Sequence, residues 1–248
     1  MKEKSILLGI LGGLGPMSTF YFCELLTAHT DAKTDADHID MLISSRATTP
    51  DRTAFILDQA KPDPLPVMIG DAKKLEAAGV DLIVIPCNTA HYFYDGLRKK
   101  LHTPMLNIIE ETVKHLKRLG ICRFGLLATE GTVTAGAYQR VCASYGLECI
   151  TPTKEEQQTV SSIIYDDIKQ NRSVDPKKLD RVIQSLCARG CERIVLGCTE
   201  LSLLKKEGLD EALFTDSLEV LAHRTILACK KHPVGFSADF ATNAEERQ

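Results

Sequence analysis

Two stretches decide how this chain is read: Ile83-Val84-Ile85-Pro86-Cys87-Asn88-Thr89 and Ile194-Val195-Leu196-Gly197-Cys198-Thr199-Glu200. Each is an apolar strand-like run that ends in a cysteine followed by two polar residues. The second lies 111 residues beyond the first, counted from Cys87 to Cys198. A second pair of segments repeats at nearly the same distance. Gly9-Ile10-Leu11-Gly12-Gly13-Leu14-Gly15 ends one strand and opens a helix, and Gly125-Leu126-Leu127-Ala128-Thr129-Glu130-Gly131 does so 116 residues later. One such pair is easily an accident of two buried strands. Two pairs in the same order at matching offsets point to two halves of similar fold.

Short β-rich runs alternate with helical periodicity along the rest of the chain. Residues Ser5–Leu11, Met41–Ser44, Leu82–Ile85, Phe124–Ala128, Leu147–Ile150 and Arg193–Leu196 read as buried strands. The cleanest helix is Lys178–Ala188, with Leu179, Val182, Ile183, Leu186 and Cys187 on one stripe. Strand–helix alternation at this spacing implies βαβ units and parallel sheets. The expected fold is therefore α/β: two similar domains, each a mostly parallel sheet flanked by helices, related by pseudo-twofold symmetry, with the active site in the cleft between them. Boundaries are expected at the short apolar segments Thr103–Asn107 and Leu213–Asp216. The first domain would take residues 1–104 plus 217–248, and the second 105–216. The last helix, Ser217–Lys231, has no expected strand partner and should return to the first half. The polar tail from His232 is expected to be mobile.

Composition narrows the function. At 248 residues the chain can hold two domains of ordinary size, and 44% hydrophobic with 25% charged residues is typical of a globular protein. A net charge of -3 provides no basic footprint for nucleic acid or an anionic membrane. Tryptophan is absent and aromatics make up 6%, a poor supply for stacking single-stranded bases. Lys2 and Lys4 precede an apolar stretch too short for a secretion signal, and no segment reaches the length of a membrane helix. A cytoplasmic protein is expected, with its nine cysteines reduced. Cys187 and Cys191, at i, i+4 near a helix end, read as small core residues rather than metal ligands.

The chemistry centres on Cys87 and Cys198. In a parallel sheet, ligands sit beyond the carboxyl ends of the strands, where both cysteines fall. A helix beginning just after each would lower its pKa and favour the thiolate. Facing halves would set the two sulfurs across a cleft. Stereoinversion at carbon needs that arrangement, since one thiolate removes a proton from one face while a thiol protonates the other. Two buried core cysteines are the plain alternative, but Asn88-Thr89 and Thr199-Glu200 would be odd neighbours in a core.

These motifs resemble the aspartate/glutamate racemase family. Pro86-Cys87-Asn88-Thr89-Ala90-His91 and Gly197-Cys198-Thr199-Glu200-Leu201 carry the resemblance. Gly12-Gly13-Leu14-Gly15-Pro16-Met17-Ser18, Pro50-Asp51-Arg52-Thr53 and Ile164-Tyr165-Asp166-Asp167-Ile168-Lys169 fit its aspartate racemase branch. The resemblance spans nearly the whole chain. It implies a two-base mechanism without pyridoxal phosphate or any other cofactor or metal, a small acidic amino-acid substrate, and a homodimer. It also implies that Arg52 and Lys169 hold the side-chain carboxylate. Physics agrees in kind, since a dicarboxylate needs a bidentate guanidinium or an ammonium to offset its desolvation. Asn88, Thr89, Thr129 and Thr132, beside strand ends or helix starts, are placed to hold the α-carboxylate as negative charge develops on it. Thr199 and Glu200 complete the substrate-binding set. Glu200 stands where the glutamate racemase branch has histidine. Glu130 is open to two readings, a partner for the substrate ammonium or a solvated side chain.

Competing readings are weaker. The glycine-rich opening lacks the third glycine and the acidic ribose ligand of a dinucleotide site, and no phosphate-loop lysine follows. A maleate isomerase-like or arylmalonate decarboxylase-like enzyme acting on a small dicarboxylate would share the fold and at least one cysteine. Retention of both cysteines with Arg52 and Lys169 disfavours it. A catalytically silent binding protein would need neither thiol.

Overall fold

A computed structural model describes residues 5–207 and 212–241. Its seven strands are β1 (Leu7–Gly12), β2 (Asp40–Ser45), β3 (Leu82–Val84), β4 (Arg123–Leu127), β5 (Glu148–Ile150), β6 (Arg193–Leu196) and β7 (Phe214–Asp216). They form two sheets, ordered β2-β1-β3 and β5-β4-β6-β7, and every pairing is parallel. Corresponding glycines sit at the centre of each: Gly9 pairs with Leu42 and Ile83, Gly125 with Ile150 and Ile194. Beyond β3, Met105 makes a single parallel bridge to Ile83, the position that β7 occupies beside β6. The repeat read in the sequence is thus a repeat of sheet order.

β1, β3, β4 and β6 are apolar runs buried on both faces, as parallel sheets covered by helices require. The edge strands depart from the expectation. β2 is largely exposed, including Leu42 and Ile43, whereas β3 and β7, which also end their sheets, are buried. β5, also an edge, is only half-buried. β7 was expected only as an apolar lead into a helix. It is a true strand whose three residues are all buried.

The helices are α1 (Pro16–Ala28), α2 (Arg52–Leu57), α3 (Leu65–Ala77), α4 (Tyr94–Arg98), α5 (Ile108–Arg118), α6 (Glu130–Thr134), α7 (Ala137–Tyr145), α8 (Lys154–Ser162), α9 (Pro176–Ala188) and α10 (Ser217–Ala228). Local chemistry sets their starts. Asp175 caps α9 by accepting from Lys177 N–H, with Pro176 in the first turn, where a missing N–H costs nothing. Asn107 and Asp216 cap α5 and α10 in the same way. The α9 stripe buries Leu179, Val182, Ile183 and Leu186. Cys187 lies outside that buried set and is exposed, while Cys191 is buried, so only one of that pair is a core residue.

α10 packs against α1 and α5, and α5 also packs against α7. One apolar cluster accordingly runs from Leu8 and Phe22 through Ile109 and Leu116 to Phe124, Tyr138 and Leu221. Contrary to the expectation of a mobile tail from His232, the segment up to residue 241 is tied to the first half. Asp31 N–H donates to the His232 carbonyl and Val234 N–H to the His29 carbonyl, both at 2.9 Å. Phe236 and Phe240 stack among His29, His115 and His223. Aromatic burial holds this segment although it lacks any periodic pattern. The part of the tail from residue 242 lies outside the described residues. Among those residues, no helix is long and apolar enough to cross a membrane.

Candidate active site

The carboxyl ends of β3 and β6 deliver Cys87 and Cys198 to one small closed chamber, lined also by Leu14, Asp51, Arg52, Thr53, Asn88, Thr89, Thr129, Tyr165, Lys169, Thr199 and Glu200. Both thiols are about 5% exposed or less. The free space is about 10 Å³, room for roughly one water molecule. Residues distant in sequence close it. Thr199 donates to the Pro86 carbonyl at 3.3 Å, tying the loop after β6 to the loop after β3. Tyr165 donates to Thr53 at 3.0 Å, tying the segment after α8 to α2.

The ionisation of the cysteines corrects the sequence expectation. Each is followed not by an α-helix but by a short 3-10 segment, Thr89–Phe93 or Leu201–Glu207. Burial dominates and pushes the Cys87 thiol up, with Arg52 pulling the other way. Burial pushes Cys198 up further, reinforced by the Glu200 carboxylate, to which its thiol donates at 3.0 Å. In the closed chamber both cysteines are therefore thiols.

The cations are held differently from each other. Arg52 opens α2, whose cap Asp51 accepts from Ala54 N–H. Its Nη1 donates to the carbonyls of Thr49 and Pro50, and its Nη2 to that of Leu14 at 3.0 Å. Its buried Nε has no hydrogen-bond partner. The guanidinium thus knits two loops together and keeps Nε–H unengaged, where sequence reasoning pictured the whole fork on a carboxylate. Lys169 reaches the chamber because α8 runs into a π turn, Ile163–Asp167, and a 3-10 turn, Ile168–Gln170. Such winding changes re-aim side chains. Its Nζ lies 4.5 Å above the Tyr165 ring and 3.9 Å from Glu200 Oε1.

The polar lining is cross-linked. The hydroxyls of Thr89, Thr129 and Thr132 lie 2.8–3.1 Å from one another. Thr129 also caps α6 through Thr132 N–H, so it is both a helix cap and part of the chamber wall. Thr132 does not line the chamber; it stands behind the other two. The Asn88 amide donates to Ser217 at 2.9 Å and accepts from Tyr138 at 2.7 Å, so its side chain is engaged with the scaffold. Glu130 is exposed and borders a separate surface depression, as its solvated reading had it.

Sequence reasoning gave no role to Leu14, Asp51, Thr53 or Tyr165, yet all four line the chamber. They fall inside the quoted motifs, beside residues with obvious charge, and nothing in their own chemistry set them apart. No group of three or more histidine, cysteine or acidic side chains suited to a metal ion occurs among the described residues.

An α/β enzyme that brings two cysteines from corresponding strand ends into one water-poor chamber has the build of an amino-acid racemase. The comparisons agree. The Asp/Glu/hydantoin racemase family model matches residues 11–225, and the chain belongs to that family. It is 31% identical over 226 residues to the broad specificity amino-acid racemase RacX of Bacillus subtilis, covering 89% of this chain and 96% of that protein. Among solved structures, the aspartate racemase of Picrophilus torridus is 28% identical with a TM-score of 0.79, covering 92% of this chain and 96% of that one. An aspartate racemase homologue from Pyrococcus horikoshii is 25% identical with a TM-score of 0.74, covering 92% of this chain and all of the other.

Proposed function

We propose that this racemase interconverts the L and D forms of a small acidic amino acid, aspartate first, by a two-base transfer between Cys87 and Cys198. The observation that carries the reading is that both thiols line the same chamber. Removal of the α-proton by one sulfur and delivery by the other inverts the carbon, the two thiols supplying both the proton acceptor and the proton donor. The Thr89 and Thr129 hydroxyls and the free Arg52 Nε–H suit a carboxylate whose negative charge grows as the proton leaves. Lys169 suits the distal carboxylate. The bonds from Thr199 to Pro86 and from Tyr165 to Thr53 close the chamber, and the reading includes its opening to admit substrate and its closure around it.

Two further features belong to this reading. The unpaired outer edge of β2, with Leu42 and Ile43 exposed, suits contact with a second copy, hence a homodimer. Nine cysteines, all unpaired, suit a reducing cytoplasm.

Chiral chromatography of an amino-acid panel incubated with the purified protein, without added cofactor, tests the proposal. Aspartate and glutamate should racemise faster than neutral or basic amino acids. Aspartate differs from glutamate by one methylene, which a pocket discriminates by only about 1–3 kcal/mol. Preference for neutral substrates would overturn the acidic reading, and activity that appears only with pyridoxal phosphate would overturn the mechanism.

A further inference from the structure

The residue that follows each cysteine is tied to the strand end that carries the other. On one side, the Thr199 hydroxyl donates to the Pro86 carbonyl at 3.3 Å, so the residue after Cys198 holds the residue before Cys87. On the other side the tie runs through a third residue. The Asn88 amide donates to Ser217 Oγ at 2.9 Å, and Ser217 Oγ donates to the Leu196 carbonyl at 2.7 Å. Ser217 thereby joins the residue after Cys87 to the last residue of β6, two before Cys198.

The direction of each bond is forced. A carbonyl only accepts, so the single Ser217 proton goes to Leu196 and the Ser217 oxygen accepts from Asn88. That orients the Asn88 amide: its nitrogen faces Ser217, and its oxygen accepts from Tyr138 at 2.7 Å. Asn88, Ser217 and Tyr138 are all buried, and neither Ser217 nor Tyr138 lines the chamber. Sheet register brings Ser217 to this place. Asp216 pairs with Leu196, and Ser217 is the next residue, the first of α10. The matching position beside the other sheet is Ile108, the first residue of α5, whose side chain has no polar atom. The Ser217 tie is therefore made once, by a residue that the repeat of the two halves does not supply.

We propose that Ser217 is a positioning residue for the reaction: its hydroxyl fixes the spacing of Cys87 and Cys198 by coupling the loop after β3 to the end of β6. The proposal rests on the two-thiol reading above. Inversion needs the two sulfurs aligned with opposite faces of one carbon, and a misplacement of about 1 Å can cost about a hundredfold in rate. The bond from Thr199 to Pro86 holds the two loops at one point and leaves them free to hinge there. The chain from Asn88 through Ser217 to Leu196 holds them at a second point. Each polar group in that chain satisfies the next in a buried setting, which makes the arrangement stiff.

Racemisation uses both thiols, whereas elimination from β-chloroalanine uses only the one that abstracts the α-proton. In the elimination the base takes that proton, chloride leaves the β-carbon, and the aminoacrylate hydrolyses to pyruvate and ammonia, which are measured. The ratio of the two rates therefore reads the relative placement of the sulfurs. Ser217→Ala should lower racemisation kcat at least tenfold and leave KM within threefold. Elimination from either enantiomer of β-chloroalanine should fall less than threefold. Tyr138→Phe keeps Ser217 but frees the other end of the Asn88 amide, so it should shift the ratio in the same direction by a smaller factor. It serves as the test if Ser217→Ala does not fold. Thr225→Ala removes a buried hydroxyl that donates to the Leu221 carbonyl of the same helix, so it should lower Tm and leave the ratio unchanged. An unchanged ratio in whichever of the first two variants folds would overturn the positioning role. So would an equal shift in Thr225→Ala, which would trace the effect to general loosening of α10. In these outcomes wild-type racemisation leaves the two-thiol reading standing. Absence of racemisation in the wild-type protein with every amino acid would overturn that reading, and the role of Ser217 with it.

Discussion

His91 holds the main chain of Cys87 in place: its Nδ1 lies 2.8 Å from the Cys87 carbonyl, and its Nε2 accepts from Ile108 N–H at 3.2 Å. The second bond fixes the tautomer. Nε2 must carry the lone pair, so Nδ1 carries the proton and donates it to the carbonyl. Ile108 opens α5, so one buried imidazole joins the turn bearing the first catalytic candidate to the first N–H of α5.

His91→Leu would leave a buried carbonyl and a buried N–H without partners. Each such group costs about 1–3 kcal/mol, so a loss of about 2 kcal/mol or more is expected in urea unfolding. Racemase kcat should fall as Cys87 loses its position. A variant as stable and active as the wild type would remove His91 from this role.

Acid should destabilise the protein well above the carboxylate range. Burial lowers His91 to about 4, His115 to about 3 and His223 to about 4. An unfolded histidine titrates near 6.5, so the unfolded chain binds more protons in between, and stability falls as pH drops from about 6.5 towards 4. Asp216 acts in the opposite sense. Burial, with Glu219 adding to it, raises Asp216 to about 7, so its contribution is present below about 4 and lost as pH rises through 7. Three groups outweigh one. The urea midpoint should be lower at pH 5 than at pH 7.5, and Asp216→Asn should enlarge the difference. Equal midpoints would contradict the burial of these histidines.

Arg52→Lys should be far from conservative. An ammonium cannot span the carbonyls of Thr49, Pro50 and Leu14 and also leave a donor for substrate. A loss of tenfold or more in kcat/KM for acidic substrates is expected, about 1.4 kcal/mol upwards, together with a lower Tm from the freed carbonyls. Lys169→Ala should lose kcat/KM with a smaller change in Tm, since its amine spans no comparable set of carbonyls. Wild-type kinetics in both variants would take these residues out of the site.

Gly131→Ala tests how closely α2 and α6 approach. A Cβ there would fall 2.9 Å from the Thr53 Cα, which is main chain and cannot swing aside. Overpacking of this kind costs about 1–3 kcal/mol. Because Thr53 and Thr129 both line the chamber, KM should rise several-fold. An unchanged KM would place the approach of these helices outside substrate binding.

Cys87→Ala and Cys198→Ala should each abolish racemisation in both directions with little loss of stability. In heavy water the wild type should place solvent deuterium in the product enantiomer while the remaining substrate stays largely protiated early in turnover. Deuterium entering recovered substrate equally fast would indicate a single base.

Much of this was legible in the chain because it depends on local pattern. Apolar runs buried on both faces identify β1, β3, β4 and β6 from their own composition, and the paired glycine and cysteine segments placed them in the same order in both halves. The cysteines, Arg52 and Lys169 stood out by residue type and motif. β2 and β5 were misread because burial depends on what packs over a strand's faces, which an apolar run such as Met41-Leu42-Ile43 does not encode. β7 was missed because Phe214-Thr215-Asp216 holds one apolar residue followed by two polar ones, which its neighbours bury. The tail after His232 was misread because Phe236 and Phe240 are held by rings contributed from α1, α5 and the region around His223, far away in sequence.

What the sequence by itself determined is the alternation of strands and helices, the repeat, and the identity of the residues able to move protons or hold carboxylates. What only the tertiary structure decided is how those groups behave. Burial reversed the expected lowering of both cysteine pKa values, since desolvation within a chamber of about 10 Å³ outweighs the field of a short 3-10 segment. Contacts across the fold spent most of the Arg52 fork on main-chain carbonyls and set Glu200 against Cys198 through the gap left at Gly15. The reason is physical: residue type sets which bonds and charges are available, whereas pKa and hydrogen-bond partner depend on solvent exclusion and on neighbours a hundred or more residues away along the chain.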